Sequence, residues 1–234
     1  MAKLYFRYGA MNSGKSTGLL QAAFNYEERG QRVLLAKPQV DSKGEGQIVS
    51  RLGVTRAVDF LIPPGADLME LFRQQALGDD PTALIQHVEA EVKPVACLLV
   101  DEAQFLEPRQ VDDLLRIAVV ENVPVMAYGI RTDFRTASFP GSARLMELAH
   151  SLEELKTICR CGRKAIFNTR KVVDTPAEPD VGSGASTEAS SGVAAPRRER
   201  FIFEGDQVAI DGVEVTYESL CAVCYLQESG GRLG

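Results

Sequence analysis

Histidine is nearly absent from this 234-residue chain, cysteine is sparse, and no apolar run is long enough to cross a bilayer. The missing apolar run excludes a spanning helix. The first strand candidate starts within a few residues of Met1, which leaves no room for a signal peptide and predicts a cytoplasmic protein with no membrane partner. In that compartment closely paired cysteines serve as metal ligands more often than as disulfides. The two histidines, His87 and His150, stand apart from other ligand-type residues and read as ordinary helix residues. No internal repeat is visible.

Positive charge is also in deficit. Lys and Arg number 26 against 32 Asp and Glu, a net charge of −6. Nucleic acid is held chiefly by neutralising phosphates, so an acidic chain needs a local basic patch to bind it. One window qualifies: Lys156, Arg160, Arg163, Lys164, Arg170 and Lys171 share a stretch without an acid. It reads first as a solvated face around a metal site and second as a nucleic-acid surface. A different absence marks residues 175–196, which hold no aromatic, Leu or Ile and are rich in Ala, Ser, Gly and Pro. Such a stretch cannot bury a core and reads as a linker or mobile loop.

What is present is a nucleotide-binding pattern. Gly9-Ala10-Met11-Asn12-Ser13-Gly14-Lys15-Ser16 fits G-x-x-x-x-G-K-[ST] in full. An aromatic-rich strand candidate at 4–8 precedes it, and a helical pattern over 17–29, closed by Gly30, follows. Strand, glycine loop and helix together let backbone N–H groups and the helix N-terminus face a polyphosphate. Lys15 then reaches the β and γ phosphates and Ser16 holds magnesium. The bland alternative is a plain strand-to-helix loop.

A second segment argues against that alternative. Residues 95–100, Val-Ala-Cys-Leu-Leu-Val, form the continuous apolar run of a central parallel strand and end at Asp101-Glu102. Ligands bind beyond the carboxyl ends of such strands. Asp101 therefore reads as the magnesium partner of Ser16, and Glu102 as a base that takes a proton from water in an ATPase or from a hydroxyl in a kinase. The motif alone does not separate the two reactions.

The remaining patterns fill in an α/β core. Strands are expected at 33–36 and 123–127 and helices at 67–77, 82–91, 108–119 and 145–150, with a polar loop at 129–142 on the ligand side. Cys97 lies inside the apolar strand and reads as packing. Cys159 and Cys161 form one tight pair, Cys221 and Cys224 another, as a closed zinc site requires. A redox pair is the functional rival. Strand character resumes at 201–203 and 207–216, with Asp211-Gly212 as a hairpin turn. The loop between the cysteine pairs is thus anchored at both ends and reads as a lid.

These segments together resemble the zinc-containing type II thymidine kinases of bacteria. The resemblance rests on the phosphate loop, on Asp101-Glu102-Ala103-Gln104-Phe105, on Gly129-Ile130-Arg131-Thr132-Asp133-Phe134-Arg135, on 155–165 and on Tyr217 four residues before Cys221. It covers 1 to about 174 and 201 to about 226. It implies a P-loop, RecA-like parallel-sheet core over 1–152 and a zinc-ribbon or lasso subdomain over 153–234. It also implies ATP, magnesium and structural zinc as cofactors, thymidine as substrate, dTTP as feedback inhibitor and a homotetramer that binds no nucleic acid. By resemblance Glu102 is the catalytic base, Ala103 and Gln104 extend the nucleotide side, and Phe105, Phe134 and Tyr217 line the nucleoside pocket. Asp41 matches the acid that binds the sugar hydroxyl. Two departures stand out: the low-complexity stretch exceeds a compact lasso, and the last ligand is Cys224 where some relatives carry histidine.

Two rivals remain at this stage. A nucleic-acid motor shares Asp-Glu-x-Gln, although such motors usually pair two ATPase domains and this chain has room for one. A regulatory nucleotide-binding module leaves Glu102 without a task.

Overall fold

The structure, a computed structural model, describes residues 1–40, 46–78, 93–174, 198–207 and 215–234. Strand β1 (Leu4–Tyr8) feeds the phosphate loop and α1 (Lys15–Glu27), and the chain returns in β2 (Arg32–Pro38). A small antiparallel hairpin, β3 (Gln47–Val49) with β4 (Thr55–Ala57), precedes β5 (Phe60–Ile62) and α2 (Leu68–Leu77). Then come β6 (Val95–Val100), a 3-10 turn at Ala103–Phe105, α3 (Pro108–Val119), β7 (Val125–Gly129), α4 (Pro140–Leu148) and β8 (Ser151–Glu154).

The six longer-range strands form one parallel sheet in the order β5-β2-β6-β7-β1-β8. One face presents Phe6, Leu34, Leu98, Val100 and Ala127 to α2, α3 and α4. The other presents Val33, Leu35, Cys97, Leu99 and Tyr128 to Leu19 and Ala23 of α1. A strand covered on both faces needs apolar residues at every position, which is why β6 reads as an uninterrupted run rather than an alternation. Cys97 is fully buried in this packing. Because β7 stands between β1 and β6, the phosphate loop and the acidic pair leave the same edge of the sheet one strand apart.

Local chemistry sets the helix starts. Asp67 caps α2 by accepting from the Glu70 N–H at 2.9 Å. Glu107 and Gln110 close a reciprocal capping box on α3, with Pro108 at its first position. Helix α1 has no side-chain cap: its N-cap is Gly14, left-handed at φ 78°. The first-turn N–H groups of a helix have no partner within it, so here they are left for a ligand.

After β8 the chain builds a smaller, antiparallel body. It comprises β9 (Thr157–Ile158) with β10 (Lys164–Ala165), a sheet ordered β12-β11-β13 from β11 (Phe167–Asp174), β12 (Arg198–Ile202) and β13 (Val215–Leu220), and the short α5 (Ala222–Glu228). Its core is built from Cys159, Ala165, Leu220, Cys221, Cys224 and Tyr225.

Several elements differ from the sequence pattern. Helix α1 begins two residues early, at Lys15, because the phosphate loop runs straight into it. Helix α4 begins at Pro140, inside the expected polar loop, since proline's fixed φ suits a first helical position. His150 lies past the end of α4, where its Nδ1 accepts from the Leu4 N–H at 3.1 Å; it joins the helix to β1 rather than sitting within it. β8, which the sequence pattern did not foretell, belongs to the large sheet through its pairing with β1. The expected helix at 82–91 with His87, the low-complexity stretch 175–196, the turn Asp211-Gly212 and Asp41 lie outside the described residues. No helix among the described residues is long and apolar enough to cross a membrane.

Candidate active site

The phosphate loop closes on itself around Lys15. Its Nζ donates to the carbonyl oxygens of Ala10 at 2.9 Å and Gly9 at 3.4 Å and lies 3.5 Å from Ser13 Oγ. Burial pushes this ammonium below its ordinary pKa, against the upward pull of the Glu102 and Asp101 carboxylates. A cation held by carbonyls in a site this dry gains when an anion arrives to share it. Gly9 is required by space: a Cβ there would sit 2.5 Å from Ser13 Oγ and 2.6 Å from the Leu155 carbonyl.

Across the sheet edge, Ser16 Oγ donates to Asp101 Oδ2 at 3.2 Å. Asp101 is 4% exposed, and its pKa rises to about 6 through burial first and the neighbouring Glu102 charge second. A hydroxyl and a carboxylate so placed match the hard-oxygen ligand set of magnesium, which would draw Asp101 back to its ionised form.

Glu102 follows in the left-handed region at φ 50°. That conformation is costly for a residue with a Cβ and marks a backbone held by its surroundings. Asp101 meets Ser16 of the phosphate loop while Glu102 lines a neighbouring cavity, so one strand end serves two sites. Glu102 Oε2 accepts from Gln104 Nε2, and Gln104 Oε1 accepts from the Ile130 N–H at 3.2 Å. Gln104 is buried and lines the cavity beside Glu102, whereas Ala103 is packed into the core.

That cavity, about 270 Å³, brings together most of the residues expected to meet a nucleoside. Glu102, Phe105, Phe134 and Tyr217 all line it. The volume falls just below the range common for small-molecule sites. The Arg170 guanidinium stacks 3.9 Å from the Phe134 ring centroid and 5.8 Å from that of Tyr217, so one buried cation backs both rings. Phe134 rides on a loop tied by buried Asp133, which accepts from the N–H groups of Arg135 and Ala137, each at 2.9 Å. Met11 of the phosphate loop and Asp133 also line the cavity, as do Lys37, Val40, Phe139, Asn168 and Gln207, which stand in none of the sequence motifs. Lys37 and Val40 had a signal, since they sit at the carboxyl end of a parallel strand. Asn168 had none, because its neighbours Thr169, Arg170 and Lys171 are polar as well.

The four cysteines converge as expected. The sulfurs of Cys159, Cys161, Cys221 and Cys224 all lie within 4.8 Å of one another, and those of Cys161 and Cys221 are 3.6 Å apart. Zinc–sulfur bonds of about 2.3 Å in a tetrahedron put sulfurs about 3.8 Å apart, so the cluster fits that ion. The thiols perturb one another in opposite senses. The Cys224 backbone N–H, aided by neighbouring thiols, lowers Cys221 to about 6, while the Cys161 sulfur, with burial, raises Cys224 to about 12. A divalent cation removes that conflict by favouring thiolate at every ligand.

Three of the six cations of the basic window are paired with acids and a fourth is buried. Arg160 pairs with Glu228 and Lys164 with Glu154, Lys171 meets Glu218 at 2.8 Å, and Arg170 is buried against aromatic rings.

A family model described as "Thymidine kinase" matches residues 2–62 and 69–225. The thymidine kinase of Ruegeria pomeroyi is 42% identical over 231 residues, spanning 98% of this chain and 96% of that protein. That of Legionella pneumophila strain Paris is 40% identical over 237 residues, 99% of this chain and 93% of that protein. That of Rhizobium meliloti is 46% identical over 189 residues, 78% of this chain and 90% of that protein. With a phosphate loop, an acidic pair and an aromatic cavity arranged around one sheet edge, and with relatives of this kind matching nearly end to end, the chain belongs to the thymidine kinase family.

Proposed function

We propose that the protein transfers the γ-phosphoryl group of ATP to the 5′-hydroxyl of thymidine, giving dTMP and ADP. One observation carries this reading: Glu102 lines the aromatic cavity while the adjacent Asp101 bonds Ser16 of the phosphate loop. An acceptor alcohol and a polyphosphate would therefore meet at two consecutive carboxylates. An ATPase that activates water has no need of a cavity walled by Phe105, Phe134 and Tyr217.

In this reading the loop from Gly9 to Ser16 cradles the phosphates with backbone N–H groups and the open start of α1. Lys15 leaves its carbonyl partners for the β and γ oxygens. Ser16 and Asp101 would hold magnesium, whose charge when bound spreads the negative charge of the transferring group. The thymine base lies against the aromatic walls, and Glu102 orients the 5′-hydroxyl. As the oxygen bonds to the γ-phosphorus, the bond to the β–γ bridging oxygen breaks, and the hydroxyl proton passes to Glu102. In a loose transition state that proton moves late, so the carboxylate needs position more than basicity.

The first 152 residues serve the nucleotide, and the part from 153 onward carries a structural zinc ion on its four cysteines. Asp41 as a sugar ligand, a homotetrameric assembly and feedback inhibition by dTTP belong to the same proposal and rest on the family resemblance alone; a cytoplasmic setting is proposed with them. Purified protein given ATP and magnesium should form ADP and dTMP in equal amounts when thymidine is added. DNA should not stimulate turnover. DNA-stimulated hydrolysis without dTMP would reject the reading.

A further inference from the structure

Side chains from the smaller body reach the phosphate loop at two consecutive residues. The Met11 N–H donates to Asn168 Oδ1 at 2.6 Å, and Ser219 Oγ donates to the Met11 carbonyl at 2.6 Å. Thr157 Oγ1 donates to the Asn12 carbonyl at 3.4 Å. Asn168 on β11 and Ser219 on β13 are direct cross-strand partners, 3% and 6% exposed. Their strands belong to the sheet that leads from one cysteine pair to the other. Both polar backbone groups of Met11 are thus satisfied by one rung of a ladder lying outside the nucleotide fold.

The rung holds the loop where it is least willing to stay. Asn12 has φ 67°, a left-handed conformation that asparagine tolerates better than most residues yet adopts stably only when its surroundings demand it. Fixing Met11 from both sides fixes the approach to that turn. It also removes the Met11 N–H from the donors available to a phosphate, leaving that task to groups nearer the start of α1. Asn168 Nδ2 meanwhile donates to the Thr132 carbonyl at 3.1 Å, so the clamp is itself braced against the loop that carries Phe134.

We propose that Asn168 and Ser219 are positioning residues that pre-set the phosphate loop for ATP from the cysteine-bearing sheet. The proposal rests on the reading of the Gly9–Ser16 loop as the ATP site. Without the clamp, buried backbone groups lose their partners and the loop samples conformers that cannot bind, and apparent affinity falls by the fraction still competent.

Ser219 is the cleaner probe, because Asn168 lines the cavity itself, whereas Ser219 reaches it only through the backbone of Met11, which lines it. Titration of magnesium-ATP without thymidine, together with steady-state kinetics, tests the clamp. Ser219→Ala should weaken ATP binding about tenfold and raise the KM for ATP alike, while the KM for thymidine changes clearly less. Ser219→Thr, which keeps the hydroxyl, should restore most of the loss. Should Ser219→Ala fail to fold, Asn168→Asp against Asn168→Leu gives the same contrast: the first keeps an acceptor for Met11 and should bind ATP better than the second. A folded Ser219→Ala with wild-type ATP affinity overturns the clamp, as does equal loss for ATP and thymidine. Absence of ATP binding by the wild-type protein would instead overturn the assignment of the loop.

Discussion

The hydroxyl of Tyr225 donates to the backbone carbonyl of Phe134 at 2.8 Å, in a buried contact between residues 91 positions apart. Tyr225 immediately follows Cys224, so the wall of the cavity is fastened to the cysteine cluster. Tyr225→Phe leaves that carbonyl buried without its donor, which costs about 1–3 kcal/mol. We expect a lower melting temperature and a several-fold higher KM for thymidine, with kcat changed far less. An unchanged thymidine KM in steady-state assays would show that Phe134 holds its place without this bond.

Glu102→Gln isolates proton acceptance from binding, because the amide keeps the shape but not the basicity of the carboxylate. Turnover should fall about 10²-fold or more, whereas ATP affinity measured by titration should hold. Near-normal turnover would remove Glu102 from the proton transfer.

Much of this arrangement was legible in the sequence, and the reason is physical. The phosphate loop, the apolar β6 ending at Asp101-Glu102 and the two cysteine pairs are local signals whose spacing alone carries the chemistry. Short strands were not legible: β3, β4, β5, β8, β9 and β10 run two to four residues each. At that length their existence depends on partners distant in the chain, as β8 depends on β1. The same applies to Asn168 and Ser219, which lie in no expected strand and which tertiary contact places on Met11. His150 carried a helix-like pattern, but its role was decided by the proximity of Leu4.

Ser16→Ala and Asp101→Asn test the magnesium assignment. Ser16→Ala removes a hard oxygen ligand and Asp101→Asn keeps an oxygen but removes the charge, so the magnesium concentration for half-maximal activity should rise about tenfold in each. A magnesium titration that superimposes on the wild type would place the ion elsewhere.

Gly141→Ala tests how tightly the turn after Glu102 is held. A Cβ at Gly141 would stand 2.6 Å from the Leu106 carbonyl, 2.7 Å from that of Ala103 and 2.9 Å from that of Gln104. Backbone on all three sides cannot rotate aside, so either α4 or the turn must shift, at a cost of about 1–3 kcal/mol. Denaturant unfolding should report that loss, and thymidine KM should rise because Gln104 and Phe105 ride on the turn. A variant as stable as wild type would mean that α4 retreats freely.

Four sulfurs within 4.8 Å should hold about one zinc per chain by elemental analysis, and Cys161→Ser or Cys224→Ser should lower that content. The sequence alone suggests that such a change loosens the chain after Cys159 and spares the nucleotide part. The bonds from Asn168 and Ser219 to Met11 argue otherwise: a sheet released at both ends by loss of the metal cannot keep its rung in place. Hydrogen exchange should therefore quicken in β11 and β13 and also at the Met11 amide, whose proton Asn168 holds. Amides of β6, buried in the large sheet, should keep their protection. Zinc loss that speeds exchange in β11 and β13 but leaves Met11 protected would show that the phosphate loop stands independently of the metal.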